Sequence, residues 1–254
     1  MLATCRLTLV SNDRTLAVVT FADGHRIYTT VTNSAIIIAN WINETVQDCT
    51  NGGRYIVSLE VACQRNCNIV LVQFIVRDHC LIYQLLHHGK AHPPREFYEF
   101  LIDTYVDEFE IEKFDRFSSF ALRQVVFLMQ QKLQKPIFAP DELDLLGFSS
   151  THARFCFIGA GVEVVAYGLQ REHAFSVRNT ADLGDTAAVR QGREDLWRAG
   201  LERLAREVMQ VEMEEPAEVW RSNLGRRDLS NETIAYACAK AYVASKLRRG
   251  LLDC

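Results

Sequence analysis

The sequence lacks most of the features that would place it outside the cell, in a membrane or along a nucleic-acid lattice. The start, Met1 to Val10, has neither the basic first region nor the long apolar run of a secretory signal. No stretch of membrane-spanning length is free of charge, so no membrane partner is expected and the reading is an intracellular protein of nucleus or cytoplasm. Positive charge is not in excess: the formal net charge of −4 excludes coating of nucleic acid by bulk electrostatics and leaves only a local basic groove. The eight cysteines include several in apolar strand-like or helix-like runs, where a reduced thiol serves as a small buried hydrophobe, and disulfides are not expected. There is no internal repeat and no low-complexity tract. With 254 residues, 48% of them hydrophobic, the chain can fill one α/β domain spanning 1–254.

Two further absences remove cofactor readings. Cys63 and Cys67 are followed by His79, His87, His88 and His92, but structural zinc sites use two close pairs, and no regular histidine pair completes this one. Gly159 and Gly161 invite a dinucleotide-binding fingerprint, yet Val164 stands where its third glycine belongs. Tight strand-to-helix packing explains those glycines better. No cofactor is therefore expected on these grounds.

What is present reads as a mixed sheet with helices. Leu16–Phe21 and Arg26–Val31 flank Ala-Asp-Gly-His, a hairpin signal because Asp-Gly tolerates positive φ. The period then changes, and Ala35, Ile36, Ile38, Ala39, Ile42 and Val46 are spaced for an amphipathic helix capped by Asn33 or Ser34. Tyr55–Val61, Ile69–Val76 and Cys80–Leu86 are β-rich with short connections, favouring an antiparallel meander. Pro93 and Pro94 open a helix through Phe97, Phe100 and Leu101. Arg154–Ala160 reads as a buried strand running into a helix at Val162–Leu169, and Phe175–Val177 as strand-like. The last third is helical, over Glu194–Met209 with Leu196 and Trp197 on its apolar side, and over Asn231–Leu247 behind a Ser230 cap.

Several of these runs carry a resemblance. Tyr236-Ala-Cys-Ala-Lys240, within the helical run from Leu229 to Leu247, resembles the last signature of the tyrosine-type 3′–5′ exonucleases, most closely the Werner-syndrome-type branch. Tyr55-Ile-Val-Ser-Leu-Glu60-Val looks like that family's first strand, Ile69–Phe74 and Cys80–His87 like its second and third, and Phe157–Val165 like the segment bringing a further carboxylate. The resemblance implies a ribonuclease H-like exonuclease fold, with a central mixed sheet of about five strands, helices on both faces, an N-terminal hairpin and a helical insertion over about 104–150.

Carried over position by position, the resemblance places the family's aspartates on Ser58, Val165 and Lys240, its glutamate on Glu60 and its catalytic tyrosine on Tyr236. Only Glu60 and Tyr236 match. A two-metal nuclease holds its ions roughly 3.5–4 Å apart with concentrated negative charge. Here Glu60 (−1) and Lys240 (+1) sum to zero. A lysine at a cation site reverses the field that would hold the ion. The expectation is that Lys240 neutralises Glu60 in place of metal, and that the chain is a catalytically inactive exonuclease-like protein acting as a nucleic-acid-binding or protein-interaction module. The alternative is a weak exonuclease dependent on Mg or Mn.

Glu163 offers no rescue, because two positions along a helix is about 200° of rotation from Val165. Asp182 and Asp185 fall where the family often has aspartate without metal duty. Tyr236 is read as a structural residue with an apolar body and a polar tip. Arg226 and Arg227, with Lys246–Arg249, are candidate phosphate contacts for single-stranded DNA or RNA, and solvated helix ends explain them equally well. The insertion opens acidic, Asp107–Asp115, and then becomes too apolar for one narrow stripe over Phe117–Leu133. Either it completes the core or it contacts a protein partner.

Overall fold

A computed structural model describes residues 3–11, 13–47, 55–64, 68–85, 93–102, 154–213, 224 and 226–252. They belong to a unit built from 1–103 and 154–254; the second unit, 104–153, contains the expected insertion and lies outside the described residues.

The elements run β1 (Ala3–Val10), β2 (Arg14–Phe21), β3 (Arg26–Thr32), α1 (Ala35–Gln47), β4 (Tyr55–Cys63), β5 (Ile69–Val76), β6 (His79–Gln84), α2 (Arg95–Ile102), β7 (Phe155–Gly159), α3 (Val162–His173), β8 (Thr180–Asp182), α4 (Leu183–Gln191), α5 (Leu201–Met209) and α6 (Asn231–Leu252). One sheet orders the strands β1-β2-β3-β6-β5-β4-β7-β8. Its inner part, β6-β5-β4-β7-β8, is antiparallel on either side of β5 and parallel from β4 through β7 to β8. That is the ribonuclease H-like arrangement.

The sheet has eight strands where about five were expected. The N-terminal hairpin forms as read, with Val19 opposite Ile27 and a turn in which Gly24 takes φ 81° and Asp23 accepts the His25 N–H at 3.0 Å. β3 then docks parallel to β6, supplying partners for backbone groups that would otherwise form a bare edge. β1 adds a further antiparallel strand outside β2, from a segment read in the sequence only for what it was not.

Helices cover both faces. On one, Ile38 and Trp41 of α1, Phe97, Phe100 and Leu101 of α2, and Val162 and Leu169 of α3 pack on Val57, Leu59, Phe74 and Phe157. α3 also clamps the start of β5, since Glu172 Oε2 accepts the Ile69 N–H at 2.8 Å and the His173 ring lies 3.1 Å from the Ile69 carbonyl. The other face carries α6, flanked by α4 and α5. Ala237, Cys238, Ala241 and Ala244 of α6 have no exposed surface, and their small side chains let the helix lie close on the sheet. Ser230 Oγ accepts the Thr233 N–H at 3.2 Å and caps it.

Two local readings are corrected. Glu194–Leu196 is a single 3-10 turn, Arg198 takes φ 58°, and the helix begins only at Leu201 after Gly200, so Trp197 is exposed rather than on an apolar face. Leu196 and Leu201 enter the same cluster from either side of that break, which one continuous helix did not have to provide. Phe175–Val177 is no strand: Ala174 at φ 59° ends α3, and the chain pairs with β7 only at Thr180–Asp182.

Candidate functional site

The strand face beneath α6 carries an unusual polar line. Period-two alternation on β4 sends Val57 and Leu59 to the α1–α3 side and Ser58 and Glu60 to the α6 side. Glu60 pairs across the ladder with Gln73, which is wholly buried on β5. Ser58 Oγ, Glu60 Oε1 and both amide atoms of Gln73 are buried without a hydrogen-bond partner. Such groups cost roughly 1–3 kcal/mol each when left unmade, so they stand out against an otherwise apolar sheet.

Into this line comes Lys240. Its Nζ lies 3.8 Å from Glu60 Oε2, beyond hydrogen-bond length but within ion-pair range, with 17% of the lysine side chain and 6% of the glutamate exposed. At that separation an effective dielectric near 20 yields roughly 4 kcal/mol of gross attraction. Burial outweighs it. Loss of hydration pushes the Glu60 carboxyl up to about 7; Lys240 and the Ala160 backbone N–H pull it down, and Glu202 and Asp182 add to the rise. Glu60 is therefore a carboxyl balanced between its two forms near neutral pH.

Gly159, the last residue of β7, shapes the other wall. A Cβ there would sit 2.5 Å from the Leu59 carbonyl and 3.6 Å from Glu60 Oε1, so the strands approach too closely for any side chain. Gly161 takes φ 68° at the start of α3. The two glycines serve strand-to-helix packing.

The remaining positions separate. Tyr236 lies one helical turn before Lys240 on α6 and is buried. Val165 is half-buried and packs against the core on the opposite face, alongside Val61 and Tyr55. Glu163 is exposed. Asp182 caps α4, accepting from Gly184 N at 2.7 Å and Asp185 N at 3.3 Å, while its other oxygen accepts from Val162 N at 3.0 Å and ties down the start of α3. Arg226 and Arg227 have exposed side chains, and their carbonyls accept from Gln84 Nε2 at 3.2 and 2.9 Å. Cys67, His87, His88 and His92 lie outside the described residues. Among the described residues, no group of three or more His, Cys, Asp or Glu is arranged to hold a metal ion, and no helix is long and apolar enough to cross a membrane.

Sequence reasoning missed Gln73 as part of this site. Its signal was available, because Gln73 is the one polar residue in Ile-Val-Leu-Val-Gln-Phe-Ile-Val. The capping duty of Asp182 was less visible, since it depends on where β8 begins.

No protein-family profile and no curated protein matches the sequence. Solved structures similar in outline include the EXD2 exonuclease domain soaked in Mn and Mg, 16% identical with a TM-score of 0.39 and covering 88% of each chain. The same domain soaked in Mn and dGMP is 14% identical at 0.39, covering 88% of this chain and 89% of that one. Unsoaked, it is 16% identical at 0.38, covering 89% of each.

Proposed function

We propose that this chain is a catalytically inactive exonuclease-fold protein that works by binding, with a nucleic acid or a protein as its partner. The observation that carries the reading is the Lys240 ammonium 3.8 Å from Glu60, the carboxylate on which metal binding would depend. Around it stand one buried carboxyl raised toward neutrality, a serine hydroxyl and the Gln73 amide as neutral oxygens, and one cation. That set does not fit a divalent ion, which needs several hard anionic oxygens and loses affinity beside a fixed positive charge. Val165 supplies no oxygen, and both carboxylate oxygens of Asp182 are engaged by backbone amides.

The test is incubation of pure protein with end-labelled single-stranded and recessed-end DNA and RNA, with magnesium or manganese. The expected result is intact substrate. Metal-dependent trimming from the 3′ end that Glu60→Gln abolishes would overturn the reading in favour of a weak exonuclease. Binding without cleavage that weakens steeply with salt points to nucleic acid, and its absence points to a protein partner.

A further inference from the structure

The outer strands carry their apolar residues on one side. Ala17, Val19 and Phe21 of β2 and Ile27 and Val31 of β3 pack under α6, with Ala3 and Cys5 of β1 against them. Period-two alternation turns the intervening residues to the opposite face. There α1 meets the sheet at Arg14 and Thr30, which line a small cavity with Trp41 and Glu44. Towards the other end of the strands Arg6, Arg26 and Tyr28 are exposed, joined by exposed His79 of β6, which lies opposite Val76 of the α1-side core.

Register aligns this exposed end. Arg6 lies opposite Val18, Val18 opposite Tyr28 and Tyr28 opposite His79, so one line crosses four strands over roughly 14 Å. Arg26 is two residues before Tyr28 on the same face. The Tyr28 ring is 54% exposed and stacks on the His79 ring, with centres 5.7 Å and planes 27° apart. Neither Arg6 nor Arg26 has a hydrogen-bond, ion-pair or ring partner among the described residues. Charge here favours an anion: β1, β2, β3 and β6 contain no Asp or Glu, although the chain as a whole holds 32 acidic residues to 28 lysines and arginines. Acids in the adjoining turns are drawn towards α6. Asp23 accepts from Lys246 Nζ at 2.8 Å and Tyr242 Oη at 3.3 Å, and Asp78 is held at 3.2 Å by His25, whose ring stacks on Tyr242.

We propose that this open face binds single-stranded nucleic acid, with Tyr28 and His79 as its stacking surface and Arg6 and Arg26 as its phosphate contacts. The proposal rests on the binding reading above and names its ligand and surface, which lies on the opposite face of the sheet from Glu60 and Lys240. An exposed aromatic ring offers a π face to any unpaired base, and an open sheet lets two or three bases lie side by side. Guanidiniums flanking that ring, one along β3 and one across on β1, suit the phosphates of the same strand. Paired bases present no such face, so a duplex is a poor ligand.

The experiment is fluorescence anisotropy of the full chain with labelled oligo(U) and oligo(dT) across a salt series, with duplex DNA and poly-glutamate as competitors and a gel of the same samples with manganese. Tyr28→Thr keeps a strand-forming residue and removes the ring, and is expected to weaken binding about 5- to 100-fold. Tyr28→Phe keeps the ring and is expected to bind as the wild type does. Arg6→Gln with Arg26→Gln is expected to flatten the log K against log salt slope by about 1.4, near 0.7 per phosphate contact. The same loss of charge on α4 and α5, Arg190→Gln with Arg206→Gln, is expected to leave slope and affinity unchanged. The proposal is overturned if Tyr28→Thr and Tyr28→Phe bind alike, if the Arg6 and Arg26 variant keeps the wild-type slope, or if poly-glutamate displaces the oligonucleotide as readily as unlabelled oligonucleotide does, which would point to an acidic protein. A wild type that binds no oligonucleotide also overturns it, and leaves the reading above with a protein as partner. Trimmed oligonucleotide on the gel would instead sink the non-catalytic reading and leave the binding face standing.

Discussion

Replacing Glu60 by glutamine should remove a pH-dependent penalty from the fold. In the unfolded chain this carboxyl titrates near its ordinary 4.5, whereas in the folded protein burial holds it at about 7. Between those values the folded state keeps a proton that the unfolded state has released. The carboxyl's contribution is therefore fully present below 4.5, and stability falls as pH rises through the folded value of about 7. The rise from 4.5 to about 7 is worth about 3 kcal/mol. Glutamine is nearly the shape of the protonated acid and cannot ionise, so the variant should match the wild type at the acid end and exceed it by about 3 kcal/mol above neutrality. Urea unfolding of both proteins across that range, with m unchanged, measures the difference, and titrations common to both cancel. Lys240→Met removes the cation that draws the carboxyl down and should move the midpoint higher still. A flat difference curve, or a glutamine variant less stable at every pH, would refute both the burial and the balance of forces assigned to this site.

Three other substitutions probe its walls, each read by the midpoint of thermal or urea unfolding. Gly159→Ala must push apart β4 and β7, because its Cβ would meet the Leu59 carbonyl at 2.5 Å, and a loss of about 2–4 kcal/mol is expected. Gln73→Met exchanges a fully buried amide with no hydrogen-bond partner for a side chain of similar volume, and should be neutral or stabilising by up to about 2 kcal/mol. Asp182→Ala removes the acceptor for three backbone amides at the starts of α3 and α4, and should cost about 1–2 kcal/mol while shifting the Glu60 titration downward.

Much of the fold was legible because it rests on local pattern. The Asp23-Gly24 turn, the apolar runs of β4 to β7 and the Ser230 cap are encoded within a few residues of where they act. The errors came where burial from another element overrode local periodicity. Trp197 fits an apolar helical stripe on paper, but the chain breaks so that Leu196 and Leu201 can share one cluster. Gln73 was read as one residue of a strand, and became part of the site only through its pairing with Glu60.

The sequence by itself determined that Lys240 belongs to a helical run near the end of the chain and Glu60 to a β-rich run, one a cation and the other an acid. Only the tertiary structure decided that these two lie 3.8 Å apart, that burial outweighs their attraction, and that Val165 packs on the opposite face. The physical reason is common to all of these: the charge state of a carboxyl and the alignment of side chains depend on distance and exclusion of water, and both are fixed by strand register and by the helix that covers the sheet.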